Sequence, residues 1–401
     1  MTLLTNNTNR VFITGFGIIS SIGCGESDTF KILQEKRTTF RKVTFLETAL
    51  TQFPVAEVNK SNHDLTLLAS LSDNEHYSRT FLLGIIAAQQ AMQMAGLKTL
   101  EGIVAATTVG GIDLFERSYK KLIDSNYSAQ NKQQIAFSLD ISDCTEKIAD
   151  YFGIRSNVST ISTACSSSAN SLITGARMIR SGLVNKILAG GMDALSLFSL
   201  NGFNSLEILS DTGCRPFDQQ RNGITIGEGA AFLVLESEKS AKNKKIYGEI
   251  VGYANRNETF HQTAPSPNGD GIAMTMKQAL KIAEINPESI DYINAHGTGT
   301  LMNDLSEGNA IKTVFKENIP PISSTKGFTG HTLAAAGAIE AVLCLLSLKK
   351  QKLLPNLNLE NVTQELSFNP VTEMKDAKIN YILSNSIGFG GANSSLIIKK
   401  V

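Results

Sequence analysis

Three side chains in this 401-residue chain have the type and setting to handle a thioester. The first is Cys165, in VSTISTACSSSAN (Val158–Asn170). A β-branched run stops at Ala-Cys, and a helical stretch follows. A cysteine at a strand-to-helix turn sits at the positive end of a helix dipole, which is expected to favour thiolate and lower its pKa. A sharp bend of this kind also presents the sulfur, as in other nucleophile elbows. Ala164, Ser166, Ser167 and Ser168 are small and leave room for an acyl group. Cys24, Cys144, Cys214 and Cys344 are scattered and read as structural. No CxxC pair exists, so zinc and dithiol redox chemistry are not expected, and reduced cytosolic thiols fit best.

The other two are His296, in NAHGTGT after an apolar strand, and His331, in STKGFTGHTLAAAG between a glycine turn and an Ala-rich helix. Both lie where a rigid scaffold presents a side chain from a loop. His63, His76 and His261 have no such setting and read as structural. Joining an acyl thioester to carbon requires a carbanion equivalent. Loss of carbon dioxide from a malonyl-type thioester provides an enolate, whose oxygen needs donors already in place. Two imidazoles donating through Nε2 meet that need, and Thr298 and Thr300 are placed to hold the departing carboxylate. Lys326, buried nearby, would keep the histidines neutral. A buried lysine needs a carboxylate, and Glu307 is the expected partner, with Asp304 as the alternative. The closing GFGG (Gly388–Gly391) precedes a strand, not a helix, so it is a poor dinucleotide loop. Its backbone suits an oxyanion donor, with Phe389 as a swinging gate.

Short strands alternating with helices must position these groups, which indicates a layered α/β fold. Strands are expected at Arg10–Ser20, at Asn185–Leu195 (stopped by its glycine pair) and at Ala230–Ser237. A helix is expected over Thr80–Gly96, ending on its glycine. The second half repeats the theme with strands in KIYGEIVGYAN, SIDYINAHGTGT, INYILSNSIGFGG and ANSSLIIKK. GEGAAFLVLE (Gly227–Glu236) and GFGGANSSLII (Gly388–Ile398) end the halves alike. This points to an internal duplication with a seam near residues 238–247, giving halves 1–240 and 241–401 and a site between them.

Lys+Arg and Asp+Glu both number 37, so the formal net charge is zero. That argues against a basic field for nucleic acid. Lys31, Lys36, Arg37, Arg41 and Lys42 form the densest early basic cluster, read as a solvated face. MTLLTNNTNR lacks the order of a signal peptide. Leu333–Leu348 is too short for a membrane span and contains Glu340, so it reads as a buried core helix.

Together, TACSSSAN, CRPFDQQRNGITIGEGAA, NAHGTGTLMNDLSE, STKGFTGHTLAAAGAIEA and NSIGFGGANSS resemble the elongating β-ketoacyl-acyl-carrier-protein synthases, from about Val11 to Ile398. The resemblance implies a thiolase-like duplicated five-layered αβαβα fold, usually dimeric, with the second subunit identical or homologous. It implies a triad of Cys165, His296 and His331 and an oxyanion hole from the backbone N–H groups of Cys165 and Phe389. It also implies an invariant Lys326 with Glu307 as its acid, Glu340 as a structural acid, and Thr108 and Phe203 on the substrate side. The implied partner is acyl-carrier protein, which brings its own phosphopantetheine, so no cofactor or metal is expected. Thr108 and Ile387 depart from the common fatty-acid pattern, and GTGTLMND resembles polyketide-type enzymes more than that pattern. A non-catalytic chain-length subunit would lack Cys165, a degradative thiolase would carry a cysteine in the closing glycine loop, and an initiating synthase would have Asn at His331.

Overall fold

The computed structural model describes residues 9–72, 74 and 76–401. The reading of the first ten residues as leader-free falls mostly outside them. Five strands form the core of each half. In the first half they are Val11–Ser20, Ile103–Ala106, Val158–Ile161, Lys186–Asp193 and Gly229–Ser237. In the second they are Gly248–Asn257, Tyr292–Asn294, Ile322–Ser323, Tyr381–Gly388 and Ala392–Lys399. Numbered by appearance within each half, both sets lie side by side in the order third, second, fourth, fifth, first. In both, the second strand is parallel to the third and fourth, and the fifth is antiparallel to the fourth and first. Each set is the sheet of its half, and the two sheets join edge to edge where the first strands touch, Phe12 opposite Glu249 and Ile13 opposite Gly248, making a continuous ladder of eleven strands with the short strand Gly23–Cys24. The duplication expected from the matching ends is therefore present in the strand order.

Two helices, Ser167–Arg180 and Ala336–Lys350, pack against strands of both halves and form the middle layer. The second is buried from Ala336 through Leu348, on every face. A helix held between two sheets has no wet side, which explains why its sequence is apolar all round rather than amphipathic. The Oγ of Ser168 accepts the N–H of Ala338 (2.9 Å) and ties the two helices together. Arg79–Ala95 covers the first sheet from outside, capped by Ser78, which accepts from Phe81 N, and stopped by Gly96 at φ 63°, where the sequence placed its end. Asp270–Ala283, with Leu301–Phe315 beside it, covers the second sheet. The result is the five-layered, thiolase-like α/β arrangement.

One strand differs from expectation. The fourth strand does not stop at its glycine pair but runs through Gly190 and Gly191 to Asp193. A Cβ on Gly190 would lie 2.1 Å from the Ala231 carbonyl, so glycine here permits close strand contact instead of ending the strand. No helix among the described residues is long and apolar enough to cross a membrane.

Candidate active site

The connection from the third strand to the helix Ser167–Arg180 is tight. Ala164, a non-glycine residue, takes φ 50°, and Ser166 N and Ser167 N donate back to Thr163 O and Ala164 O. Left-handed backbone at an alanine is held only by its surroundings. Here Thr163 N donates to Ser167 Oγ (2.8 Å), and Asn170 joins Thr163 Oγ1 (2.8 Å) to Ser394 Oγ (2.9 Å) on the last strand. Cys165 sits on this elbow, 6% exposed. Its sulfur faces two backbone N–H groups, those of Phe389 and of Cys165 itself. Gly388 makes this possible, because a Cβ there would press on Thr163 O (3.0 Å) and Ser166 N (3.3 Å). The thiol differs from expectation. Burial raises its pKa to about 11, although Lys326 and the two N–H groups pull it down. Desolvation of the thiolate outweighs the turn's polarity.

The loop bearing His296 is held by two carboxylates one turn apart on Leu301–Phe315. Glu307 accepts His296 N and Gly297 N (both 2.9 Å) and Asn385 Nδ2 (3.1 Å). Asp304 accepts Phe217 N (2.7 Å) and Gly299 N (3.2 Å). Neither pairs with Lys326, contrary to the sequence expectation. The acid on Lys326 is Glu340, fourteen residues on along the chain and on the middle-layer helix. Glu307 is taken up by two amides of the His296 loop and by Asn385, and Asp304 by the amides of Gly299 and Phe217 and by the Arg221 guanidinium (3.9 Å). Burial raises the pKa of Glu307 to about 7.

Lys326 is fully buried. Its ammonium contacts Glu340 Oε1, His296 O (2.7 Å) and His296 Nδ1 (3.1 Å). An ammonium is donor only, so His296 Nδ1 accepts and Nε2 carries the ring proton. His331 arrives at the same tautomer independently, because Leu333 N donates to its Nδ1 (3.1 Å). The rings stand edge to face, centroids 5.3 Å apart. Burial, then Lys326, drives the pKa of both below the usual range, that of His331 to about 3 and that of His296 well down, with His331 adding to the latter. Both are therefore neutral imidazoles with an Nε2 donor near pH 7.

Cys165, His296, His331, Thr298, Thr300 and Phe389 line one cavity of about 340 Å³. A second space of about 530 Å³ opens on the other side of Cys165, against Thr108, Val109, Phe198 and Leu333. Phe389 and Phe203 border both, with ring centroids 6.0 Å apart. The structure thus brings together residues from both halves, with Thr108 on the second space only. Lys326, Glu340, Glu307 and Asp304 line neither and act from behind. His63, His76 and His261 also line neither. Sequence reasoning missed Asp193, fully buried at the end of the fourth strand and close enough to oppose ionisation of Cys165. The available signal was an acid closing an apolar strand, since such a charge must have partners inside.

The geometry agrees with what the chain is similar to. The description "Beta-ketoacyl synthase, N-terminal domain" matches residues 8–241, and "Beta-ketoacyl synthase, C-terminal domain" matches residues 247–360. A 3-oxoacyl-[acyl-carrier-protein] synthase 2 of Staphylococcus aureus (strain COL) is 33% identical over 98% of this chain and 99% of its own length. The protein of that name from Coxiella burnetii is 32% identical with the same coverage. Among solved structures, the ishigamide ketosynthase/chain length factor superposes with TM-score 0.89 at 30% identity, covering 98% of this chain and 100% of that one. A ketosynthase in complex with its chain length factor from Xenorhabdus doucetiae gives 0.82 at 31%, covering all of both chains. With the duplicated fold, the elbow cysteine and the paired imidazoles already in place, these matches settle the family: this chain belongs to the β-ketoacyl synthases.

Proposed function

We propose that this chain condenses an acyl group carried on Cys165 with a malonyl thioester, both delivered on acyl-carrier protein, to give a 3-oxoacyl-carrier protein and carbon dioxide. The observation that carries the reading is the matched tautomer of His296 and His331, two Nε2 donors facing one cavity with a cysteine on its wall. In the first step the Cys165 sulfur attacks the acyl thioester carbonyl. Its proton leaves with the carrier thiol, and the acyl group stays on Cys165. The oxyanion formed on the way is held by the N–H groups of Cys165 and Phe389. In the second step the malonyl carbonyl oxygen lies between the two imidazoles and its carboxylate near Thr298 and Thr300. Carbon dioxide departs, and the electron pair of the broken bond forms an enolate held by the two Nε2–H groups. That carbon attacks the acyl-cysteine, and Cys165 leaves as thiolate. Neutral imidazoles suit this role, because a donor that kept its positive charge would also hold the departing carboxylate back.

Residues 1–240 present the nucleophile and residues 241–401 both imidazoles, with Lys326 and Glu340 positioning His296 and with Phe389 as the gate. The phosphopantetheine arrives on the carrier, and the reaction runs in the cytoplasm on the reduced thiol. All five cysteines are free, which supports that compartment. The second subunit is a copy of this chain or a homologue, the latter supported by relatives described with a chain length factor. Incubation with acyl-carrier protein followed by mass spectrometry tests the reading. The acyl adduct is expected on Cys165, and an adduct on Cys24 or Cys344 instead overturns it.

A further inference from the structure

Asp193 closes the fourth strand of the first half with no exposure to solvent, and the chemistry proposed above does not use it. Its carboxylate has a full set of donors. Oδ1 accepts from Thr107 Oγ1 (2.6 Å) and Thr108 N (3.0 Å), and Oδ2 from Thr108 Oγ1 (2.6 Å) and from Ala334 N (2.8 Å). The second and third come from Thr108, which lines the second cavity beside Cys165, and the first from its chain neighbour Thr107. The fourth belongs to the other half of the molecule, three residues beyond His331. Between His331 and Ala334 lies Leu333, a non-glycine residue at φ 52° whose N–H donates to His331 Nδ1 and whose side chain lines the second cavity.

Leu333 is therefore pinned on both sides. Its own amide faces the imidazole, and the next amide faces Asp193. A leucine does not hold left-handed backbone unaided. Without an acceptor for Ala334 N–H, that backbone relaxes toward negative φ, and the amide that fixes the His331 tautomer turns away.

We infer that Asp193 is a positioning residue that holds Leu333 in its left-handed conformation, so that His331 keeps its proton on Nε2 and the acyl-side wall at Thr108 is coupled to the decarboxylating side of the cavity. This rests on His331 donating through Nε2, as proposed above. An acyl chain that displaces Thr108 acts on His331 through one carboxylate, a link between the two substrates' sites that passes behind the reacting atoms.

The test is Asp193→Asn in the full-length protein. The amide weakens the acceptor for Ala334 N–H and removes the charge near Cys165. Acylation of Cys165, read by mass spectrometry, should not fall, because losing the charge lowers the thiol pKa, while carbon dioxide release from malonyl-carrier protein should fall about 10- to 100-fold. The ring ¹⁵N signals of His331 should move from a single Nε2–H tautomer toward a mixture. Equal losses in acylation and decarboxylation, or an unchanged His331 tautomer, overturn the inference. Should Asp193→Asn not fold, Thr107→Val removes the hydroxyl that orients Oδ1, so that the carboxylate turns and Oδ2 draws away from Ala334 N–H. A fall in the ratio of decarboxylation to acylation supports the inference, and an unchanged ratio overturns it. Failure of the underlying reading is distinguishable: His331→Ala that still releases carbon dioxide at the native rate removes His331 from the chemistry whatever Asp193 does.

Discussion

The two halves share one strand order but place opposite chemistry at matching positions. After the third strand of the first half, four residues reach Cys165 and a middle-layer helix begins. After the third strand of the second half, the chain passes Lys326, turns at Gly330 and reaches His331 before the other middle-layer helix. After the second strands come Thr107 and Thr108 in one half and His296 in the other. Asp193 ends the fourth strand of one half, and Phe389 follows the fourth strand of the other. The first half thus buries an anion beside the thiol and the second a cation. They bias Cys165 in opposite directions, Lys326 lowering its pKa and Asp193 raising it. A duplicated scaffold fixes where loops converge and leaves the charge of each loop free to diverge.

The comparison is broken most severely by removing its two poles. Cys165→Ala should lower acyl transfer from carrier protein by at least about 10³-fold while malonyl decarboxylation remains measurable, because the imidazoles are untouched. Parallel loss of both activities means that the halves do not divide the work. His331→Ala should do the converse, with acylation retained and carbon dioxide release down about 10²- to 10³-fold for the lost donor.

Lys326→Met tests the cation. It leaves Glu340 buried without its partner, so unfolding by denaturant should show a loss of about 3–5 kcal/mol. Adding Glu340→Gln should restore part of it, whereas adding Glu307→Gln should not, because Glu307 serves backbone amides. Recovery by Glu307→Gln would return the pairing to the sequence expectation.

The pH dependence is a finer probe. Only thiolate alkylates, and the Cys165 pKa lies near 11. Iodoacetamide labelling of Cys165 should therefore rise about tenfold per unit from pH 7 to 9, without the plateau of a low-pKa thiol. Lys326→Met should move that profile to higher pH. The smallest effect concerns Glu307, whose pKa is raised in the fold to about 7 from an ordinary 4.5. A raised carboxyl stabilises the fold below pH 4.5 and loses that contribution as pH climbs through 7. Thermal stability should decline across that window, and Glu307→Gln should flatten the decline.

The apolar strands, the Gly96 stop and the all-buried helix after His331 were legible because each follows from local pattern and periodicity. The three side chains that share the cavity were legible because elbow and glycine-loop settings are local too. The acid on Lys326 was not. Glu307, Asp304 and Glu340 are all near a loop that matters, and spacing along the chain does not say which one faces an ammonium. The thiol pKa was misjudged for a related reason: the turn is visible in sequence, whereas the desolvation that outweighs it depends on what packs above the sulfur.

By itself, then, the sequence determined which three side chains meet at one cavity, the duplicated order of elements and the family, since these rest on residue types and short-range spacing. Only the tertiary structure decided which group holds Nδ1 of each histidine, the pairing of Lys326 with Glu340 and the place of Asp193 between the halves. Those depend on hydrogen bonds between residues up to 141 positions apart, as in Asp193 with Ala334, and on the burial that makes each such bond count.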